Sequence, residues 1–257
     1  MKNYNYFILI MGLGCIILSC KKEQSTAKTA QPSYSLISIT NAAAKTDSFK
    51  FYVDDSLVPL PVSLLFGSTE FFPVENSENT NKTPYKYILS GYREIGFRKS
   101  GGNVYQVFFN QYFEAGSRYS IFLADTITHG QLKYIVLKDN TGLPDSTKSQ
   151  IRFINLSPDA PAMDIWVFPD AGNDGYKLFT NRSYAVLDYS VLLESQTFKT
   201  INAGPYYFVA TAAGTSDIIM EGGLILPGRS VITVYAKGLV STSGTDQLDV
   251  GVIEYIQ

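Results

Sequence analysis

The chain has 257 residues, a net charge of −2 and only 17% charged residues. That balance offers no basic face and excludes nucleic acid as an expected partner. Hydrophobic residues make up 45%, which allows a packed core, and 18 Tyr with 16 Phe lean the chain toward strands. Both cysteines, Cys15 and Cys20, fall near the N-terminus, and His129 is the one histidine. The body after Cys20 therefore has no disulfide and no Cys/His cluster of the zinc-binding kind, and no cofactor is implied.

Residues 1–19 read as a signal peptide. Lys2 supplies the positive start, and Tyr6 to Leu18 form an apolar run of about 13 residues, short of the ~20 that span a bilayer. The run ends in Ile17-Leu18-Ser19-Cys20, which resembles a lipobox: a branched apolar residue, a second apolar residue, a small residue, then Cys. The small residue fits a peptidase pocket, and the Cys20 thiol takes the lipid. The competing reading is an uncleaved membrane anchor that happens to contain Cys. The short run and the immediate Lys21-Lys22 speak against it. More than one acyl chain makes a stable attachment, so the expected partner is a membrane, reached through lipid on Cys20. The expected location is the cell envelope, at the outer membrane, on its periplasmic or surface face. The lipidated Cys and the polar residues after it, 20–33, read as a flexible tether. Lys21-Lys22-Glu23-Gln24 resembles a surface-export signal of Bacteroidetes-type lipoproteins, with a single acid.

Self-comparison shows a long repeat. Ile37, Ile39, Phe49, Phe51, Tyr52 and Val53 align with Ile151, Phe153, Met163, Ile165, Trp166 and Val167 at an offset of 114. Leu65-Phe66, Gly91 and Gly101 align with Leu178-Phe179, Gly204 and Gly214 at 113, and Gly116 aligns with Gly228 at 112. The period is too long for a solenoid, so one domain has been duplicated in tandem. Each copy reads as about seven short strands with turn punctuation. Met163, Ile165 and Val167 alternate along one strand, Gly204-Pro205 turns into Tyr206–Ala210, and Pro227-Gly228 turns into Val231–Tyr235. The predicted fold is all-β: two tandem antiparallel immunoglobulin-like β-sandwich domains, 34–138 and 150–257, joined by a linker at 139–149. A small barrel is the alternative, and Ala185–Ser195 is the segment that reads as a helical turn.

The run Arg152-Phe153-Ile154-Asn155-Leu156-Ser157-Pro158-Asp159-Ala160-Pro161-Ala162-Met163-Asp164-Ile165-Trp166-Val167 resembles a known family, the tandem β-domains called domain of unknown function 4397. Its hallmark is a strand, then Ser-Pro-Asp-Ala-Pro, then an apolar-Asp-apolar-aromatic-Val strand. The first copy carries Asn41-Ala42-Ala43-Ala44-Lys45-Thr46-Asp47 at that place and matches only through the internal repeat. The resemblance implies secreted or lipid-anchored bacterial envelope proteins and no reaction.

Few residues suggest chemistry. Asp159 and Asp164 flank the Pro-rich turn; a Ca²⁺ site is one reading and turn capping the blander one. Lys50 stands where the second copy has Asp164, which argues against a shared metal site. Trp166, Tyr206 and Tyr207, with Tyr52, are candidates for stacking on sugar rings; core packing is their alternative role. His129 sits in a hairpin-like loop, and no Gly-x-Ser-x-Gly elbow is present, so no catalytic residue is named. Asp55-Ser56-Leu57, Asp125-Thr126-Ile127 and Asp145-Ser146-Thr147 resemble a short glycosylation pattern of exported Bacteroidetes proteins. The leading expectation is a non-catalytic envelope lipoprotein in adhesion or in glycan or protein binding. A glycan hydrolase or carbohydrate-active accessory, with two carboxylates about 5–9 Å apart, and a structural spacer are the alternatives.

Overall fold

The computed structural model describes residues 33–60, 64–69, 72–73, 82–126, 132–139, 142–169, 174–186 and 189–256. Cys20 with its leader, the tether up to residue 32, and His129 lie outside the described residues. The described part is all-β with one short helix.

The first lobe holds β1 (Tyr34–Asn41), β2 (Phe49–Val53), β3 (Ser56–Val58), β4 (Phe72–Pro73), β5 (Lys82–Thr83), β6 (Lys86–Leu89), β7 (Gly91–Lys99), β8 (Tyr105–Phe113), β9 (Arg118–Ala124) and β10 (Lys133–Lys138). The second holds β11 (Lys148–Asn155), β12 (Met163–Phe168), β13 (Tyr176–Arg182), α1 (Tyr189–Gln196), β14 (Lys199–Asn202), β15 (Gly204–Ala212), β16 (Ile218–Leu226), β17 (Ser230–Lys237) and β18 (Asp249–Ile256). Strand order runs β3-β2-β7-β8 and β10-β9-β1-β6 in the first lobe. In the second it runs β13-β12-β15-β16 and β14-β11-β17-β18. The two lobes thus repeat one topology, with the strand equivalences that the internal repeat implies. The pairing is mostly antiparallel, but β1 runs parallel to β9 and β11 parallel to β17. Each lobe therefore has one mixed sheet, a feature that alternation of side chains does not reveal, since both pairings share the period of two.

A two-stranded sheet pairs β4 with β5, and three apolar layers hold the four larger sheets together. Ile37, Ile39, Phe51, Phe97 and Ile121 lie in the core of the first lobe. Phe153, Ile165, Phe208 and Val234 lie in that of the second. Between the lobes, Phe122, Ala124, Ile154, Tyr235 and Ile253 form a third buried cluster. The sheets holding β1 and β11 are covered on both faces, and β9 and β17 are buried almost throughout. Described residues from both lobes fall in one compact unit, Pro32–Gln257.

The interlobe layer is partly polar. Arg152 and Asp139, 1% and 2% exposed, pair at 2.7 Å. This is a charge pairing rather than an aligned hydrogen bond. Arg152 also donates to Thr233 Oγ1 at 2.9 Å, while Asp139 accepts from Ser120 Oγ at 2.6 Å and Tyr85 Oη at 3.1 Å. Burial, and then the Asp139 charge, push the Tyr85 hydroxyl well above its usual range.

The turn before β9 and β17 refines the repeat. Gly116 N–H donates to the Tyr34 carbonyl, and Arg229 N–H donates to the Lys148 carbonyl, both at 2.8 Å. Gly116 has φ +74° and Arg229 φ +62°. The structural partner of Gly116 is therefore Arg229, at the offset of 113 that Gly91 and Gly101 also show, and not Gly228. Gly228 serves another purpose: a Cβ there would meet the Ser146 carbonyl oxygen at 1.8 Å. An Arg in the left-handed region carries strain that Gly does not. Arg229→Gly is expected to stabilise the protein by about 1 kcal/mol, less the flexibility it adds to the unfolded chain. Urea denaturation of the two proteins checks this.

Candidate functional site

The outward face of β3-β2-β7-β8 is built by register. Tyr52 lies opposite Leu57 on one side and Gly96 on the other, and Gly96 lies opposite Phe108. One row across the sheet thus reads Leu57–Tyr52–Gly96–Phe108. Lys50 lies opposite Arg98, and Tyr92 opposite Tyr112. A register shift between Phe97 and Arg98 adds a residue to β8 near Tyr105. A bulge of this kind re-aims a side chain, and here it puts Tyr105 and Phe108, three residues apart, on the same face.

The cluster is tightly made. The Arg98 guanidinium lies 4.3 Å from the Tyr52 ring centroid and 4.0 Å from that of Tyr105. Tyr105 is edge-on to Tyr52 at 5.7 Å and tilted against Phe108 at 5.2 Å. Gly96 makes this close approach possible: a Cβ there would come within 2.2 Å of the Tyr105 ring. Phe108 and Leu57 are 49% and 52% exposed, so the patch is open. Single exposed apolar residues need no explanation, but a contiguous patch does.

Two aspartates pin the cluster from the hairpin between β2 and β3. Asp54 and Asp55, at φ +50° and +57°, are the central residues of a two-residue loop of type I′ geometry. Short polar side chains tolerate that region. Asp54 accepts from Arg93 Nη1 at 2.8 Å and from the Glu94 amide at 3.0 Å. Asp55 Oδ1 accepts from both Tyr105 Oη and Arg98 Nη2 at 2.6 Å. The Tyr105 hydroxyl first, and then Arg98, hold the Asp55 carboxyl below the usual carboxylate range. Burial works to raise Asp54, but Arg93 and the Glu94 amide outweigh it and the group is lowered. A lowered carboxylate favours folding above its unfolded pKa of about 3.9. That contribution is lost as pH falls through the lowered value.

The equivalent face of the second lobe holds Trp166 and Tyr207, and not Tyr206. Trp166 is half-buried, with Lys177 Nζ 5.0 Å from its ring. Lys177 pairs with Asp164 at 2.6 Å. Phe168, two residues along β12, lies opposite Tyr207, which is 46% exposed. The Phe168 ring rests on Gly175, where a Cβ would come within 2.2 Å of it. Tyr206 points the other way: it belongs to the core of the second lobe, and its hydroxyl donates to the Asn202 carbonyl at 3.0 Å. Adjacent strand residues face opposite sides, so Tyr206 and Tyr207 do not share a platform.

The aspartates of the Pro-rich turn are occupied by donors. Asp159 accepts from Val240 and Ser241 amides at 2.8 and 3.0 Å and from Ser157 Oγ at 3.3 Å. Both amides lie on a loop 81 and 82 residues further along the chain, so its own turn supplies only the Ser157 hydroxyl among the described residues. Asp164 takes Lys177 and the amides of Asn181 and Gly214. Among the described residues no group of three or more His, Cys, Asp or Glu is placed to hold a metal ion. Of the aromatic cluster of the first lobe, the sequence marks Tyr52 alone. The cluster's signal is the run Tyr105-Gln106-Val107-Phe108-Phe109, where the bulge breaks the alternation that would have revealed it.

No curated protein matches the chain. The solved structures that match include three with slight similarity. One concerns alpha-glucan binding by a streptococcal virulence factor, at 9% identity over 84% of this chain and 96% of that one, with a TM-score of 0.24. A product complex of SpuA, a multi-modular glycogen-degrading pneumococcal virulence factor, is 9% identical over 86% of this chain and 22% of that one, at 0.25. The third concerns alpha-glucan recognition by family 41 carbohydrate-binding modules from streptococcal virulence factors, at 7% identity over 78% and 92%, at 0.24. Scores this low carry no argument about function. The model for the domain of unknown function DUF4397 matches residues 35–166, from β1 to Trp166 on β12. That match covers more than half of the 257 residues, and the chain belongs to the DUF4397 family.

Proposed function

We propose that the chain is a non-catalytic lipoprotein of the cell envelope, at the outer membrane, that binds glycan on the outer sheet faces of two immunoglobulin-like lobes. The observation that carries the reading is the open cluster Leu57–Tyr52–Arg98–Tyr105–Phe108. Aromatic faces cover the apolar C–H faces of sugar rings, while an Arg and an Asp beside them offer directional, charge-assisted hydrogen bonds to hydroxyls. Lipid on Cys20 holds the lobes to the membrane, and the polar residues 21–33 give them reach.

The buried layer between the lobes favours a second reading, a structural spacer that binds nothing. The purified full chain in detergent separates the two. Electrophoresis through gels containing xyloglucan, pullulan or glucomannan is expected to show retardation by at least one of them. The double variant Phe108→Ala/Trp166→Ala, which removes one anchor from each face, is expected to lose at least 2 kcal/mol, on the order of 30-fold in affinity, with its melting temperature little changed. Identical migration of the wild type in every gel would leave the spacer. In the same strain, Cys20→Ala is expected to abolish fatty-acid labelling and release the chain from the membrane fraction; retained labelling refutes lipidation.

A further inference from the structure

The two outer faces share a feature beyond their aromatic rings. In each, the cation that lies against the rings is already neutralised by a carboxylate of the same sheet or its hairpin. In the first lobe Arg98 packs between Tyr52 and Tyr105 and pairs with Asp55 at 2.6 Å. In the second, Lys177 stands over Trp166 and pairs with Asp164 at 2.6 Å. The two arrangements arose differently. Asp55 comes from a hairpin loop and Asp164 from the start of β12, and Lys50 stands at the repeat position of Asp164. Arg and Lys are likewise different residues on different strands.

The remaining charges keep the same balance. On and around the first face, Lys50, Arg93 and Arg98 stand against Asp54, Asp55 and Glu94, three of each sign. The second face adds Glu221, on the strand beside Tyr207, to the Lys177–Asp164 pair. One face is therefore neutral and the other slightly negative. A uronic acid or sulfated sugar gains nothing from a cation that is already paired, and on the first face it brings its own charge up to the exposed Asp55, while the buried Asp164 acts on the second face by holding Lys177. Neutral hydroxyls do not face that choice: on the first face they donate to Asp55 Oδ2, since Tyr105 and Arg98 both use Oδ1, and leave the pair whole. Deliberate binders of acidic polymers do the reverse and leave cations unpaired.

From this we infer that the ligand of both faces is an uncharged glycan, and that Asp55 and Asp164 are the residues that exclude acidic ones. The inference rests on the glycan-binding reading above. The test uses the purified full chain in detergent, at low salt, with xyloglucan, pullulan and glucomannan as neutral probes and polygalacturonate as the acidic one. The wild type is expected to be retarded by a neutral polymer and not by polygalacturonate. Asp55→Asn keeps a residue that tolerates the left-handed turn and still accepts from Tyr105, but it frees Arg98. It is expected to raise affinity for polygalacturonate by about tenfold, and the gain should vanish at high salt. Asp164→Asn, which frees Lys177 in the other lobe, is an independent second variant with the same expected outcome. Wild-type retardation by polygalacturonate equal to that by the neutral polymers overturns the inference and leaves the glycan reading standing. So does failure of both folded variants to gain acidic binding. No retardation by any polymer overturns the glycan reading and this inference with it.

Discussion

Arg152→Met is expected to cost about 3–5 kcal/mol of stability. Arg152 and Asp139 are both essentially inaccessible to solvent and pair at 2.7 Å between the lobes. Arg152 gives its Nε to Thr233 and its Nη2 to Ser120 at 3.2 Å, and its guanidinium lies 4.6 Å from the Phe198 ring. Methionine fills the volume of the stem but leaves the Asp139 charge, among the described residues, with the neutral donors Ser120 and Tyr85. A buried charge without its partner costs far more than the pair itself contributes. The double variant Arg152→Met/Asp139→Leu is therefore expected to recover most of the loss. Urea denaturation of the four proteins gives the coupling directly. Because the pair joins the two lobes, the single variant is also expected to lose the shared transition and unfold in two steps. A cost below about 1 kcal/mol would mean that water reaches the layer and the charges are solvated.

That layer is also where the sequence is least legible. Strand positions were legible because side chains alternate: Ile37 and Ile39 on β1, and Met163, Ile165 and Val167 on β12, do face the cores. The repeat was legible because Gly91 and Gly204, and Gly101 and Gly214, hold matching turns with positive φ. The opposite face of β1 misleads. Ser38 and Thr40 alternate with Ile37 and Ile39 as a solvated face would, yet they are buried, because the sheet of β1 backs onto the second lobe. Arg152 on β11 misleads in the same way. Its partner Asp139 is distant in pattern and marks the start of what reads as a linker. The candidate site was half-legible for a related reason. Trp166 and Tyr207 reach an outer face, but Tyr206 does not, since neighbours on one strand must point apart. The cluster of the first lobe depends on a bulge, on Gly96, and on a hairpin aspartate reaching across three strands. None of these leaves a periodic trace.

Gly238→Ala is expected to cost about 2–5 kcal/mol, combining left-handed strain with overpacking. Gly238 follows β17 at φ +85°, and a Cβ there would meet the Gln247 carbonyl oxygen at 2.3 Å and that of Asp246 at 2.8 Å. Both obstacles are backbone, so no side chain can swing aside. The loop it begins is tied down at several points. Leu239 N–H donates to the Asp246 carbonyl and Leu248 N–H to that of Leu239, both at 2.9 Å. The next two amides, of Val240 and Ser241, end on Asp159, the acid of Ser157-Pro158-Asp159-Ala160-Pro161. Asp246 then accepts from the Lys45 amide of the first lobe at 2.7 Å. The aspartate in the family's hallmark turn is thus one end of a clasp that depends on Gly238 for its geometry. Gly101→Ala is the control: its φ is +82°, but nothing lies within 4 Å of a Cβ there, so only the strain remains, about 1–2 kcal/mol. Denaturation curves of the two variants separate the contributions, and equal costs would show that the loop yields and the overlap is relieved. The clasp takes no residue from either outer face, so Gly238→Ala at temperatures where it is still folded should bind glycan as the wild type does. A loss of binding there would place the ligand at the Asp159 turn rather than on the aromatic faces.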